Sequence, residues 1–272
     1  MPVLPIPNRC IWCLKSAAET TSDVSHVLPN CVGNVNQHLL PRGIVCTRCN
    51  NYFGTKVEPK LLEDPQFHII AVALGLVDPD DMQRFRERIF DAKHPSEYPV
   101  KHDIKLKIDV HGPTGTIQTD IEYTVKGRIK RVYSLEDRRW LSRAVHKIAF
   151  ESIAWSLVQG HESPVDLFSH RFNAIRKWVR EGHPQHTVRP VVRLLPTTVT
   201  PKWGNAIWNF PNNGMAVELS LFGDWYTVSV SSSHENALSD MKSWAGDRLQ
   251  NNARDAWVIA DSFERYLPLT TP

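Results

Sequence analysis

The reading of this chain turns on Cys10-Ile11-Trp12-Cys13 and Cys46-Thr47-Arg48-Cys49-Asn50-Asn51-Tyr52-Phe53-Gly54, with Ser25-His26-Val27-Leu28-Pro29 between them. Each Cys-x-x-Cys offers two soft thiolates from one tight turn. Two such pairs, Cys10 and Cys13 with Cys46 and Cys49, close a tetrahedral all-thiolate zinc site that has no open position for catalysis. The metal is then a staple, and the chemistry falls to the residues it positions. Two disulfides, or buried thiols without metal, are the competing readings, and the repeated spacing favours zinc. A redox pair would sit at the end of a strand in a βαβ unit, and neither pair does. Cys31 is left over as a small thiol, which suits a reducing compartment better than a disulfide framework.

The chain has 272 residues, room for one large or two modest domains. Hydrophobic content of 42% and charged content of 22% are ordinary for a globular chain and argue against wholesale disorder. A net charge of +3 permits a nucleic-acid partner without demanding one. The opening Met1-Pro2-Val3-Leu4-Pro5-Ile6-Pro7 lacks a basic segment followed by an apolar one, so no signal peptide is expected. The longest apolar run, Ile69 to Val77, is too short to span a bilayer. The expected setting is cytoplasmic, with no membrane contact.

Residues 1–63 hold the cysteines and little hydrophobic periodicity, so this part is expected to fold around metal rather than around a large core. Residues 64–99 read as a helical connector: an apolar stretch from Phe67 to Val77, then a helix from Met82 to Ala92 capped by Asp78 and Pro79. Ile104, Leu106, Ile108 and Val110 share one face of a strand. After the turn Gly112-Pro113-Thr114-Gly115, strands are expected over 117–125 and 128–132. Ser134 to Val158 reads as a long helix, ended by Gly160, and Val165 to Glu181 as another, closed by Gly182. Strands are expected over 188–195, 206–210, 215–222 and 225–231, then a helix over 235–249 and a short strand near Trp257. The fold class is therefore α+β, a small zinc-stabilised N-terminal module followed by a larger α+β domain over 100–272.

The order Cys10-x-x-Cys13, Ser25-His26-Val27-Leu28-Pro29, Val32-Gly33-Asn34, Leu40-Pro41-Arg42-Gly43 and Cys46-x-x-Cys49-Asn50-Asn51-Tyr52-Phe53-Gly54, ending at Val57-Glu58, resembles the HNH endonucleases. These are ββα-metal nucleases with a treble-clef zinc site, and the likeness spans about residues 8–63. The resemblance implies that His26 is the general base and that Asn50 binds a catalytic divalent metal, magnesium or manganese. The implied products carry 5′-phosphate and 3′-hydroxyl ends. Many relatives carry an acid before the histidine where this chain has Ser25, a weaker neutral ligand. Glu58, seven residues after Asn51, is the carboxylate expected to join the metal, with Asp23 behind it. The middle motif asparagine is absent, with Gly43 standing about there, and the resemblance implies that a backbone carbonyl can orient the histidine's other nitrogen instead.

Lys126, Arg128, Lys130, Arg131, Arg138, Arg139, Arg143 and Lys147 face only Glu136 and Asp137 over that stretch, with Arg171, Arg176, Lys177 and Arg180 beyond. They read either as a phosphate-tracking stripe or as a solvated helix face. No base-reading motif appears, so the sequence assigns no cut-site preference; by the resemblance DNA is the expected partner, with RNA as the other nucleic-acid candidate. Trp140, Trp155, Trp178, Trp203, Trp208 and Trp225 are expected to pack mainly in the larger domain. The expected function is metal-dependent DNA cleavage, in restriction of foreign DNA or in a mobile element. Two alternatives stand beside it: a zinc-stabilised nucleic-acid adaptor that does not cut, and a nuclease silent until its C-terminal domain binds an activator or a partner protein.

Overall fold

The computed structural model describes residues 8–29, 38–63, 102–112, 115–125, 135–160, 162–182, 188–196, 204–209, 214–221, 224–230, 233–251, 253–261 and 263–266. Cys31, the connector helices expected over 64–99 and the strand expected over 128–132 lie outside them, as do Lys126, Arg128, Lys130 and Arg131.

The N-terminal part starts with a hairpin-like turn closed by an Arg9–Ser16 bridge, which carries Cys10 and Cys13. Strands β1 (Ser22–His26) and β2 (Leu39–Cys46) pair antiparallel, Ser22 opposite Cys46 and His26 opposite Leu39. Between Asp23 and Ser25 the register shifts, because β2 carries extra residues there. Gly43 lies in that insert at φ 99°, a conformation that favours glycine. Helix α1 (Thr47–Tyr52) follows at once, with Cys46 as its N-cap. The chain winds on through a π-helical turn, Phe53–Val57, and a 3-10 turn, Glu58–Glu63. Phe53, Val57 and Leu61 point inward from this run and are fully buried.

Strands β3 (His102–Gly112) and β4 (Gly115–Val125) form the expected hairpin, with Leu106 opposite Ile121 and Val110 opposite Ile117. Helix α2 (Leu135–Gln159) carries Leu141, Val145, Ile148 and Ala149 at the helical spacing read from the sequence, all buried. Its polar residues are buried as well: Ser142, Arg143, His146, Lys147, Glu151 and Ser152. A helix enclosed on all sides is a central element rather than an amphipathic cover.

The single helix expected over 165–181 is instead two 3-10 turns, Pro164–Phe168 and His170–Phe172, followed by helix α3 (Asn173–Glu181). Ser169 makes the break: its backbone is extended at ψ 148° and its hydroxyl accepts from the Arg171 N–H. Serine's capacity to bond its neighbouring backbone competes with helix continuation. Gly182, at φ 54°, ends α3 as expected and donates its N–H to the Trp178 carbonyl at 2.9 Å.

Six antiparallel strands make the main sheet: β5 (Val191–Pro196), β6 (Gly204–Asn209), β7 (Met215–Leu221), β8 (Asp224–Ser229), β9 (Ala253–Ile259) and β10 (Phe263–Tyr266), in the order β10-β9-β5-β8-β7-β6. Neighbouring residues of one strand enter different cores. Val191, Val217 and Ile259 join α2 and the zinc segment, whereas Val192, Ala216 and Val258 join Met241 and Trp244 of helix α4 (His234–Asn251). Strand alternation thus puts α2 on one face and α4 on the other.

The larger core runs without a break from the cysteine segment through α2 to the sheet. Trp12 is its junction, with its ring edge-on to Phe53 at 4.9 Å and to Phe150 of α2 at 5.0 Å. The expectation that the first 63 residues fold around metal with little core is therefore corrected. Ile11, Trp12, Val27, Phe53, Val57 and Leu61 bury themselves against α2, and their apolar area adds to whatever the metal contributes.

Candidate functional site

The turn before β1 and the β2–α1 junction bring Cys10, Cys13, Cys46 and Cys49 together, with all four sulfurs within 4.8 Å of one another. Cys13 and Cys46 Sγ are 3.7 Å apart, close to the ~3.8 Å edge of a tetrahedron with zinc–sulfur bonds of about 2.3 Å. Among the described residues this is the group of histidine, cysteine and acidic side chains that could hold a metal ion. The Cys49 thiol donates to Cys10 and holds its pKa down at about 5, against the opposing effect of burial. The same bond raises the Cys49 thiol, and burial raises Cys13 to about 11. Four sulfurs this close oppose one another's ionisation, and a divalent cation at their centre reverses that sign. The donor set fits structural zinc, as the spacing predicts.

His26 ends β1 and is half-buried, one residue from the fully buried Ser25, so strand alternation sends the two side chains to opposite faces. Among the described residues no hydrogen bond engages its imidazole. Asn50, in the first turn of α1, is tied to β1 twice. Its Nδ2 donates to the Val24 carbonyl at 3.2 Å, and its Oδ1 lies 3.1 Å from Ser25 Oγ. His26 and Asn50 are thereby held on adjoining elements. The Gly43 carbonyl accepts the Arg9 N–H at 3.1 Å. Asp23 spends Oδ1 on the neighbouring Val24 N–H at 2.8 Å.

Behind Ser25 lies a buried charge cluster from the far end of the chain. Glu151 of α2 accepts from Ser25 Oγ at 3.1 Å and from Trp12 Nε1 at 2.8 Å. The single Ser25 hydroxyl proton therefore serves two acceptors, Asn50 and Glu151. Lys147, one turn earlier, pairs with Glu151 at 3.1 Å and with Glu58 at 2.7 Å. It also donates to the carbonyls of His26 at 2.5 Å and Val27 at 3.4 Å. Burial pushes the Glu151 carboxyl above the usual range, and the ammonium beside it offsets only part of that. Burial would drive the Lys147 ammonium down, but Glu151 and Glu58 together outweigh it and hold the lysine above its ordinary value. Glu58, expected to join a catalytic metal, thus has its Oε1 paired with an ammonium. The π-helical turn between Asn51 and Glu58 breaks the α-helical phase on which that expectation stood.

The basic stripe divides. Arg143 is 5% exposed and cannot track phosphate: its guanidinium donates to the Val179 carbonyl at 2.8 Å, to the Arg180 carbonyl and to the Tyr52 hydroxyl. It also stacks over Trp140 at 4.2 Å. Arg176 is buried too, donating to the Ile11 carbonyl beside Cys10 at 2.7 Å. Both arginines fasten the cysteine segment to α2 and α3. Arg138 and Arg139 are half-buried, while Arg171 and Lys177 are exposed.

Trp12, Lys147 and Glu151 are the site residues that reading the sequence missed. The available signal was a lysine and a glutamate four residues apart, separated by Ile148, Ala149 and Phe150. Such a pair inside a buried helix needs a polar counterpart elsewhere.

Residues 10–66 match a family model described as HNH endonuclease. Neither a curated protein nor a solved structure matches the chain. The matched residues carry all four cysteines, His26 and Asn50. On that match and the zinc-fitting geometry, residues 10–66 form an HNH-type domain with four cysteines positioned for zinc, and a larger α+β body follows it.

Proposed function

We propose that the chain is a metal-dependent endonuclease that hydrolyses phosphodiester bonds in DNA, with His26 as its general base. The observation that carries this reading is the tie between the strand end bearing His26 and Asn50, through Ser25 Oγ at 3.1 Å and the Val24 carbonyl at 3.2 Å. A neutral His26 imidazole takes the proton of a water attacking phosphorus. The P–O3′ bond breaks, leaving a 5′-phosphate and, once water protonates the departing oxygen, a 3′-hydroxyl. Magnesium or manganese would supply charge neutralisation at the scissile phosphate. Asn50 Oδ1 keeps one lone pair beyond its contact with Ser25 and would hold that cation, together with water and phosphate oxygens. Exposed basic residues of the larger domain, with Lys126, Arg128, Lys130 and Arg131, are the surface we assign to the DNA backbone. The family resemblance suggests a role in restriction of foreign DNA or in a mobile element, and Cys31, left over from the two Cys-x-x-Cys pairs, suits a reducing, cytoplasmic setting.

A second reading, a nucleic-acid adaptor that does not cut, draws support from the pairing of Glu58 Oε1 with Lys147, an ammonium that competes with a metal for that carboxylate. Incubation of the zinc-loaded protein with circular duplex DNA, with and without magnesium or manganese, separates the two. Metal-dependent nicking with 5′-phosphate ends upholds the nuclease; DNA binding without cutting under any metal supports the adaptor.

A further inference from the structure

Lys147 and Glu151 are both fully buried and lie outside the stretch that matches the nuclease family, yet their polar contacts go into it. An ammonium has three hydrogens, and here its nearest acceptors are His26 O, Glu58 and Glu151, with the Val27 carbonyl farther away at 3.4 Å. Glu151 divides its two oxygens between Trp12 and Ser25. A buried ion pair is a poor way to add stability, since apolar side chains of similar volume hold such a helix as well or better. What apolar side chains cannot do is grip the peptide of His26 or the hydroxyl that reaches Asn50.

We propose that Lys147 and Glu151 are positioning residues of the nuclease site: Lys147 fixes the backbone of His26, and Glu151, through Ser25, fixes Asn50. Helix α2 is then a wall of the active site, and the N-terminal stretch works only when docked on it. This assignment rests on the reading of His26 as general base. A small displacement of such a base from its water is enough to lose most of the rate.

The test uses the full chain. Lys147→Met/Glu151→Gln removes the ion pair as a unit, and Val228→Ala trims the sheet core as a control for lost stability. Zinc content and thermal midpoint are measured first, then kcat and KM on circular duplex DNA with magnesium. The double variant is expected to remain zinc-loaded with an unchanged KM and a kcat lower by about ten- to a hundredfold. Val228→Ala is expected to keep the wild-type kcat below its melting range. A folded double variant with wild-type kcat overturns the assignment. Should it fail to fold, the isosteric Glu151→Gln, which retains an acceptor for Trp12, takes its place: a lowered kcat upholds the assignment and a wild-type kcat overturns it. Failure of the nuclease reading shows separately, as a wild type that leaves DNA uncut with either magnesium or manganese. The positioning claim is then decided by the imidazole NMR resonances of His26, assigned with His26→Ala. Resonances displaced in the variant uphold it, and resonances coincident with wild type overturn it.

Discussion

Lys147 Nζ lies 2.5 Å from the main-chain carbonyl oxygen of His26, 121 residues away in sequence. That contact joins the larger domain to the residue on which the proposed chemistry depends. The stretch matching the nuclease family is therefore embedded in the rest of the chain rather than appended to it.

Metal removal is expected to act beyond the cysteines. Structural zinc sites of this kind contribute on the order of 10 kcal/mol to folding, and Ile11 and Trp12 between Cys10 and Cys13 are buried against α2. A chelator, or Cys49→Ser, should lower the thermal midpoint of the whole protein and broaden the indole resonance of Trp12. Zinc analysis alongside calorimetry checks this. A midpoint unmoved by complete zinc loss contradicts it.

Trp12 separates packing from hydrogen bonding. Trp12→Phe keeps an aromatic ring against Phe53 and Phe150 but leaves Glu151 without its indole donor. Losing a donor to a buried acceptor costs about 1–3 kcal/mol, whereas Trp12→Ala should cost about 3–5 kcal/mol through the cavity. Urea unfolding of the two variants gives both numbers.

Gly182 should tolerate no side chain. A Cβ there would stand 2.7 Å from the Arg143 guanidinium, and the backbone is at φ 54°. Gly182→Ala is expected to lose at least about 1–2 kcal/mol from the left-handed conformation alone. It should also loosen Arg143 from Tyr52 and the end of α3, raising amide exchange in α1. Hydrogen exchange of α1 reads the second effect independently of the first.

The buried Arg143 should differ in salt dependence from the basic residues assigned to the DNA backbone. Arg143→Met is expected to lower stability while leaving the slope of log binding constant against log salt for duplex DNA unchanged, because its guanidinium is spent on carbonyls. Lys130→Ala/Arg131→Ala should reduce the slope by roughly 0.9 for each phosphate that the variant no longer neutralises. Equal slopes for all three proteins would remove Lys130 and Arg131 from the DNA surface.

The buried Glu151 also sets a pH dependence. Its folded pKa is raised above the unfolded value, so the stability it contributes is fully present below the unfolded carboxyl range and is lost as pH rises through the folded pKa. The stability of wild type relative to Glu151→Gln should therefore increase as pH is lowered from neutral towards the unfolded carboxyl range. Denaturant titrations of the two proteins across that interval check the sign.

Much of this was legible in the sequence for physical reasons. The zinc site needs only its spacing, because four thiolates in two turns leave one geometry. The apolar positions of α2 and the alternation in β3 declared themselves through periods of 3.6 and 2. What local pattern could not give were the partners. Arg143, Arg176 and Lys147 look like a solvated stripe, yet each reaches a main-chain carbonyl between 36 and 165 residues away. The place expected for Glu58 assumes an unbroken α-helix, which the π-helical turn interrupts. Ser169 divides an expected helix through a local side-chain bond that no apolar period reports.

The central claim is that His26 activates water for DNA cleavage. The most direct measurement is the first-order rate of nicking of supercoiled DNA by wild type and His26→Ala, each at full zinc occupancy, with magnesium and without. The account predicts cutting by wild type with metal only, and a loss of about a hundredfold or more in His26→Ala. Equal rates for the two zinc-loaded proteins would contradict it.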